Sequence, residues 1–350
     1  MNLPNLLPLS LGFLIFSFLI NAVLIVPFID LLYKLKFQRQ VEGGKNSKSL
    51  FDKLHDKKAG TPTGGGVLLV VTVVIMFAIL FPIMSSLGVY ITTAHNLLNE
   101  LFVIFFTFIS FGILGLLDDY VKIFKKGKEG QLGYVFGLSK KTKFAIQFVL
   151  AGVVSFWLYH FLGIQFVHIP LLSHVINLGI FYIPFAMFVI VFFTNAFNFT
   201  DGLDGLASGL LAIYLFAFIV IAAANLDTPL SIFIALWIGA VMAFLYFNVN
   251  PARIWLGDTG ALSFGAMIAV IGLLTGNVAS LFIIGGIFVI EAFSSLIQIL
   301  GWKILKRRIF PIAPIHHAFL AIGWEEPKIV MRAWLAGIML AILGLWLARI

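Results

Sequence analysis

Apolar runs of about 18 or more residues recur from one end of this chain to the other, separated by polar connectors, and runs of that length read as transmembrane helices. Of the 350 residues, 61% are hydrophobic and only 11% are charged. A soluble domain of this size has too few charged residues to cover so large an apolar interior. The expected fold class is therefore an all-α polytopic integral membrane protein. Ten spans fall at roughly 9-33, 64-85, 100-117, 144-162, 178-194, 205-224, 230-247, 260-275, 280-301 and 331-348. The first lacks a basic leading region and a small-residue cleavage pattern, so it is read as a retained helix and not a signal peptide. No internal repeat or low-complexity tract interrupts the pattern, and residues 1-350 are expected to form one transmembrane domain. Cysteine is absent, which excludes disulfides, thiolate metal sites and cysteine nucleophiles.

The connectors alternate in charge. Segments 34-63, 118-143, 248-259 and 302-330 hold nearly all the Lys and Arg, while 86-99, 163-177, 225-229 and 276-279 hold none. The positive-inside rule makes the basic side cytoplasmic and leaves both termini outside. With that parity, Asp118, Asp119, the polar cluster at 195-204, Asp258 and the pair His316 and His317 all emerge on the cytoplasmic side. The ordinary explanation for most of these lysines is topology and attraction to anionic lipid. A minority are left to receive phosphates.

The densest polar cluster in an otherwise apolar chain is Asn195 to Gly209, NAFNFTDGLDGLASG. Asp201 and Asp204, three apart, share a helix face, and Thr200 or Asp201 is suited to cap a helix starting here. Asn195 and Asn198 extend the spacing backwards, yet one unbroken helix would scatter the four side chains. A break near Thr200 to Gly202 lets them converge. Adjacent Asp118 and Asp119, in LLDDYVK, point about 100° apart on a helix, so one faces a reaction centre while the other bonds a Lys or orients a loop. Asp258, between Gly257 and Gly260 at a helix start, reads either as a cap or, in this company, as an exposed Mg²⁺ ligand, since hard oxygen donors and substrate phosphates suit Mg²⁺. Trp255 reads as an interfacial anchor or as a flat surface for a base.

In HDKKAGTPTGGG, glycines 64 to 66 let backbone amides approach an anion and Lys58 supplies charge; the alternative is a plain turn before a helix. Pro311 and Pro314 constrain the backbone before His316 and His317, which suit phosphate contact or proton handling, or are loop histidines without a role. Glu291 lies inside a span, where an ionisable group faces the bundle interior in a supporting or chemical role. Five carboxylates, glycine turns, lysines and histidines on one membrane face favour magnesium-assisted phosphoryl chemistry. A transporter would instead gather its polar residues near mid-membrane.

The blocks KKAGTPTGGG, LLDDYVK, NAFNFTDGLDGLA, NPARIWLGDTGALSFG, EAFSSLIQ and APIHH, in this order over residues 55 to 332, resemble the polyprenyl-phosphate N-acetylhexosamine-1-phosphate transferase superfamily and, within it, the phospho-N-acetylmuramoyl-pentapeptide transferases. The resemblance implies ten transmembrane helices in the bacterial cytoplasmic membrane. It implies transfer of phospho-MurNAc-pentapeptide from its UDP carrier to undecaprenyl phosphate, giving lipid I and UMP, with Mg²⁺ as cofactor. By motif position Asp258 resembles the magnesium ligand and Asp118 the catalytic carboxylate, a base toward the lipid phosphate or, in another view, a nucleophile. Asp119 and Lys122 fall where the family handles lipid phosphate or metal. Lys58, Thr63, Asn198, Asp201, Asp204, Asn248, Trp255, Gln298, His316 and His317 fall on positions similar to those lining the nucleoside and diphosphate site, and His316 is counted with the catalytic group. Asn195 joins the substrate-binding set through its place in the polar cluster. Ala318 stands where the family has a third His, Leu320 where an acid is common, and Gly64 where Met is usual. Expected partners are UDP-MurNAc-pentapeptide, undecaprenyl phosphate and the bilayer, with no nucleic acid and with a homodimer left open. Related enzymes using UDP-GlcNAc share the Asp blocks but carry a His-x-Arg pattern where this chain has His316-His317-Ala318.

Overall fold

A computed structural model describes residues 6–38, 60–124, 137–170 and 174–348. In chain order these form α1 (Leu6–Lys34), α2 (Gly65–Ser86), α3 (Leu97–Phe124), α4 (Lys140–His160), β1 (Phe166–Ile169), β2 (His174–Asn177), α5 (Tyr182–Thr200), α6 (Leu206–Ala224), α7 (Thr228–Asn248), α8 (Gly257–Leu274), α9 (Val278–Ile284), α10 (Gly286–Leu300), α11 (Ile315–Ala321) and α12 (Glu326–Leu347). Ten of the described helices are long and apolar enough to cross a membrane. In lipid only a helix or a closed barrel satisfies every backbone polar group internally, so runs of this length take the helical solution.

Three details are added to the expected spans. The 163-177 connector holds a short antiparallel hairpin, with Phe166 paired to Asn177, and the fold is otherwise all-α as expected. The run 280-301 is not one helix: α9 ends at Ile284, Gly285 caps it, and α10 begins at Gly286. Glycine is a poor helix former, and here two glycines sit at close contacts, for an added Cβ would lie 2.9 Å from the Phe193 ring at Gly285 and 2.9 Å from Leu340 at Gly286. Finally, α3 continues past residue 117 to Phe124, so Asp118, Asp119 and Lys122 all stand on helix, the geometry from which their divergence was expected.

Helix α8 is the axis of the bundle. Its spanning window is 94% buried, against 22% for α1 and 28% for α12, which face outward. α3 and α5 make their largest contacts with α8, and α2 also packs on it, while α6 and α1 pack on α7. Small residues let backbones meet, as lipid-embedded helices require when apolar solvent gives them little reason to associate. A Cβ on Gly66 would fall 2.2 Å from Gly260 N, and one on Gly115 would fall 2.1 Å from Asp258 O. Between these contacts Phe108 of α3 stacks on Phe264 of α8 and meets Trp237 of α7 edge-on, pairs that add about 0.5–1.5 kcal/mol each beyond simple burial. Ser263 Oγ donates to Phe108 O at 2.6 Å and Tyr214 OH to Ile268 O at 2.8 Å, tying α8 to α3 and to α6. The polar residues described below are thereby held at the ends of rigid, mutually clamped helices.

Candidate functional site

The C-terminal turns of α3, the first turn of α4, the end of α5 and the start of α8 converge at one end of the bundle. Asp118 and Lys122 are one helical turn apart and pair at 2.9 Å. Lys122 Nζ also reaches Asp258 Oδ2 at 2.6 Å. Lys143, at the first turn of α4, meets Asp118 Oδ2 at 2.8 Å and Asp258 Oδ2 at 2.7 Å. Two carboxylate oxygens from different helices thus share two ammonium groups. Asn198 Nδ2 donates to the other oxygen of Asp258 at 3.0 Å, and the Leu138 amide donates to Asp118 Oδ1 at 2.6 Å. The Asp118 side chain is 2% exposed and that of Asp258 13%. Asp258 begins a helix as expected, but it is held by three side chains and not freely exposed, because α3, α4 and α5 close around the start of α8. The chain at Gly137 returns so near that a Cβ there would lie 2.1 Å from Asp118 Oδ1.

Asp119 points elsewhere, as the angle between neighbours on a helix requires. Its Oδ1 accepts from the Asp258 amide and its Oδ2 from the amide and hydroxyl of Thr259, each near 3.0 Å. It therefore supplies the side-chain acceptors for the first amides of α8, which would otherwise be orphaned. Lys122 bonds Asp118 and Asp258 in preference to Asp119.

The second group of residues builds the turn between α5 and α6. α5 ends at Thr200, where the break was expected, but Asp201 is the C-terminal cap of α5 and not the start of the next helix. Thr200 Oγ1 bonds back to Ala196 O. α6 starts after Gly205, whose φ of +77° favours glycine and which offers no side-chain cap. Asp204 Oδ2 accepts from Asn250 Nδ2 and the Ala252 amide, both at 3.0 Å, and its own amide donates to Glu326 of α12. Asn248 accepts from the Gly205 amide and Ser208 Oγ and donates to Ile254 O. Both residues act here as clamps that fix the 201-205 turn against the 250-256 segment. Asn195 Nδ2 bonds Gln147 Oε1 of α4 and Val191 O. That places it one turn from Asn198 and away from Asp258.

Around this centre the remaining expected residues take defined places. Thr63 bridges in parallel to Trp255, and a Cβ on Gly257 would lie 2.8 Å from Asp119 Oδ2, 3.0 Å from Gly64 N and 3.1 Å from Thr63 Oγ1. Trp255 is 6% exposed, so its ring is packed into the protein and presents no open face for a base. The amides of Gly65 and Gly66 donate to Trp255 O and Leu256 O, so they close α2 onto the 255-256 segment and do not form an anion cradle. Lys58 lies outside the described residues. Gln298 holds the chain after α10 through Ile309 N, Phe310 N and Phe310 O. His316 and His317 are on helix α11 and buried, not on an open loop; their rings lie 4.1 Å apart. Glu291 meets His316 Nδ1 at 2.9 Å.

Sequence reasoning passed over Lys143, counting it with its neighbours as topology charge. The signal was its spacing from Gln147, four residues on, which puts both on one face of α4. Glu326 and Thr259 were also missed, and a Thr or Glu next to a helix start carries no mark of what it will face.

Among the described residues no cluster of three or more His, Asp or Glu side chains forms an all-protein metal cage. The donor set nevertheless fits Mg²⁺, which is ordinarily held by one or two carboxylates together with substrate phosphates and water. Asp118 and Asp258 offer two hard oxygens converging on one cationic position.

Residues 101–276, which include every residue of the carboxylate and lysine cluster, match glycosyl transferase family 4. Over nearly its whole length the chain is similar to proteins named phospho-N-acetylmuramoyl-pentapeptide-transferase. It is 37% identical to that of Bacillus velezensis over 335 residues, covering 95% of this chain and 96% of the relative. It is 38% identical to that of Clostridium perfringens over 319 residues, covering 91% and 90%, and 36% identical to that of Bacillus subtilis over 335 residues, covering 95% and 96%. The chain belongs to glycosyl transferase family 4 and to the family of phospho-N-acetylmuramoyl-pentapeptide-transferases.

Proposed function

We propose that this protein transfers phospho-MurNAc-pentapeptide from UDP-MurNAc-pentapeptide to undecaprenyl phosphate, releasing UMP, at the cytoplasmic face of the bacterial inner membrane. The observation that carries the reading is the paired cluster of Asp118, Asp258, Lys122 and Lys143 at one end of a ten-span bundle. Two anionic substrates must meet there, and converging cations and a carboxylate base are what that encounter requires. The basic connectors support a cytoplasmic orientation for this end and outward termini.

An oxygen of the lipid phosphate forms a bond to the sugar-bearing phosphorus, the bond from that phosphorus to the bridging oxygen breaks, and UMP leaves with the electron pair. Asp118 accepts any proton still carried by the lipid phosphate. Lys122 and Lys143 turn from their carboxylates to the phosphate oxygens, which keeps like charges from facing one another. Asn198 orients Asp258 through its Oδ1, and Asp119 fixes the start of α8 on which Asp258 stands. Asp258, with Asp118 beside it, would hold Mg²⁺, which supplies charge neutralisation for the diphosphate. The turn at 201-205, clamped by Asn248 and Asp204, borders the position for the nucleoside diphosphate.

The test is purified protein in detergent with undecaprenyl phosphate, Mg²⁺ and either UDP-MurNAc-pentapeptide or UDP-GlcNAc. UMP and lipid product from the pentapeptide donor are expected. Lipid product from UDP-GlcNAc alone would overturn the donor assignment, and no UMP from either would overturn the reaction class.

A further inference from the structure

Glu291 is a carboxylate in the interior of a membrane span, 4% exposed, and the reaction as derived above makes no use of it. Its Oε2 lies 2.9 Å from His316 Nδ1 and 3.5 Å from the His316 amide. The same short stretch of α10 fastens α11 a second time, for Ser294 Oγ donates to Glu291 O and accepts from the Ile315 amide. A carboxylate only accepts, so the ring must place its proton on Nδ1. Nε2 is then the remaining hydrogen-bonding atom of His316. It is buried, has no partner among the described residues, and points at the turn between α5 and α6, where a Cβ on Gly202 would lie 2.4 Å away. A buried polar atom without a partner is costly, about 1–3 kcal/mol, unless a ligand completes it. Glycine at 202 lets the backbone of that turn pack against Nε2, where any side chain would collide.

We infer that Glu291 is a positioning residue: it locks His316 through Nδ1 so that Nε2 faces the 201-205 turn, which the proposed reaction sets beside the nucleoside diphosphate. The inference rests on the reaction proposed above. It concerns the donor substrate and not the lipid acceptor.

The experiment is a double-mutant cycle in the UMP-release assay, varying each substrate in turn. Glu291→Ala is expected to lower kcat/KM for the UDP-sugar about tenfold or more, as loss of a partner that orients a functional histidine does, with the KM for undecaprenyl phosphate unchanged. His316→Ala is expected to show at least that loss, and Glu291→Ala in the His316→Ala background to cost nothing further, because residues acting as a unit are not additive. Glu291→Gln, whose amide oxygen still accepts from Nδ1, is expected to stay within about twofold of wild type. Additive losses in the cycle, a matching rise in the acceptor KM, or an inactive but folded Glu291→Gln would each overturn the inference. Should Glu291→Ala not fold, as judged by its melting in detergent, Glu291→Met, which fills the space but accepts nothing from Nδ1, takes its place in the same cycle with the same losses expected. A wild-type protein that releases no UMP sinks the reaction itself, which is a separate outcome.

Discussion

Gly115→Ala tests whether the site depends on the close meeting of α3 and α8. Gly115 sits one turn before Asp118, and an added Cβ would stand 2.1 Å from Asp258 O, 2.4 Å from Asp258 C and 2.6 Å from Thr259 Cα. All three are backbone atoms, so no side chain can swing aside. Reaching an ordinary contact of 3.4 Å requires the two helices to separate by about 1.3 Å at the residue that carries the Asp258 carboxylate. A misplacement of about 1 Å at a reacting centre costs on the order of a hundredfold in rate. Overpacking of this kind costs about 1–3 kcal/mol in stability. UMP release should therefore fall about a hundredfold while the protein still purifies as a folded species with a lowered melting temperature. Gly112→Ala is the internal control. It lies one turn earlier on the same helix, and its Cβ would meet Ser263 and Val70 at 3.7 Å, an ordinary contact. It should retain near-wild-type turnover. Equal activity for the two variants would refute the argument that the separation of α3 and α8 sets the geometry of the carboxylates.

Lys143→Ala should lower turnover about a hundredfold, the order seen when one charge-stabilising donor is removed; unchanged UMP release would remove Lys143 from the machinery. Asp258→Ala should be inactive at any Mg²⁺ concentration, whereas wild-type protein stripped with EDTA should recover fully when Mg²⁺ is restored; a rescued Asp258→Ala would displace it as the metal ligand. Asp119→Ala should cost about 0.5–2 kcal/mol as a lost helix cap, read as a lowered melting temperature in detergent, and an unshifted melting temperature would show that α8 does not need its bonds. Gln298→Ala releases three hydrogen bonds to residues 309 and 310 and should raise the donor KM without altering the acceptor KM; a change confined to the acceptor would place that loop elsewhere.

Much of the arrangement was legible before any coordinate. Length and apolarity of the runs determine ten spans, because a helix of about 20 residues is what a bilayer core requires. Alternating basic connectors sort Asp118, Asp119, Asp258 and the histidines to one end. Neighbouring positions on a helix diverge, so Asp118 and Asp119 were expected to face different partners, and one pairs with lysines while the other accepts from backbone amides. What each job is was not legible. Whether a carboxylate meets an ammonium or a backbone amide depends on which helix end lies opposite, and helices pack by shape and small-residue contacts that one strand of sequence does not record. Hence Lys143 was hidden among lysines, and the burial of Trp255, read as an anchor or as a flat surface for a base, was not legible. That Asn248, Asp204 and Gln298 fasten turns was likewise not legible.

The sequence by itself determined the membrane architecture, the end of the bundle where polar chemistry gathers, and the family, since these follow from composition, periodicity and motif order along one chain. Only the tertiary structure decided the partners. Lys122 and Lys143, which hold Asp118, reach Asp258 from more than a hundred residues away, and Glu291 finds His316 across the gap between α10 and α11. Such pairings are set by where helix backbones are allowed to touch, and Gly115 against Asp258 is the contact that sets the first of them.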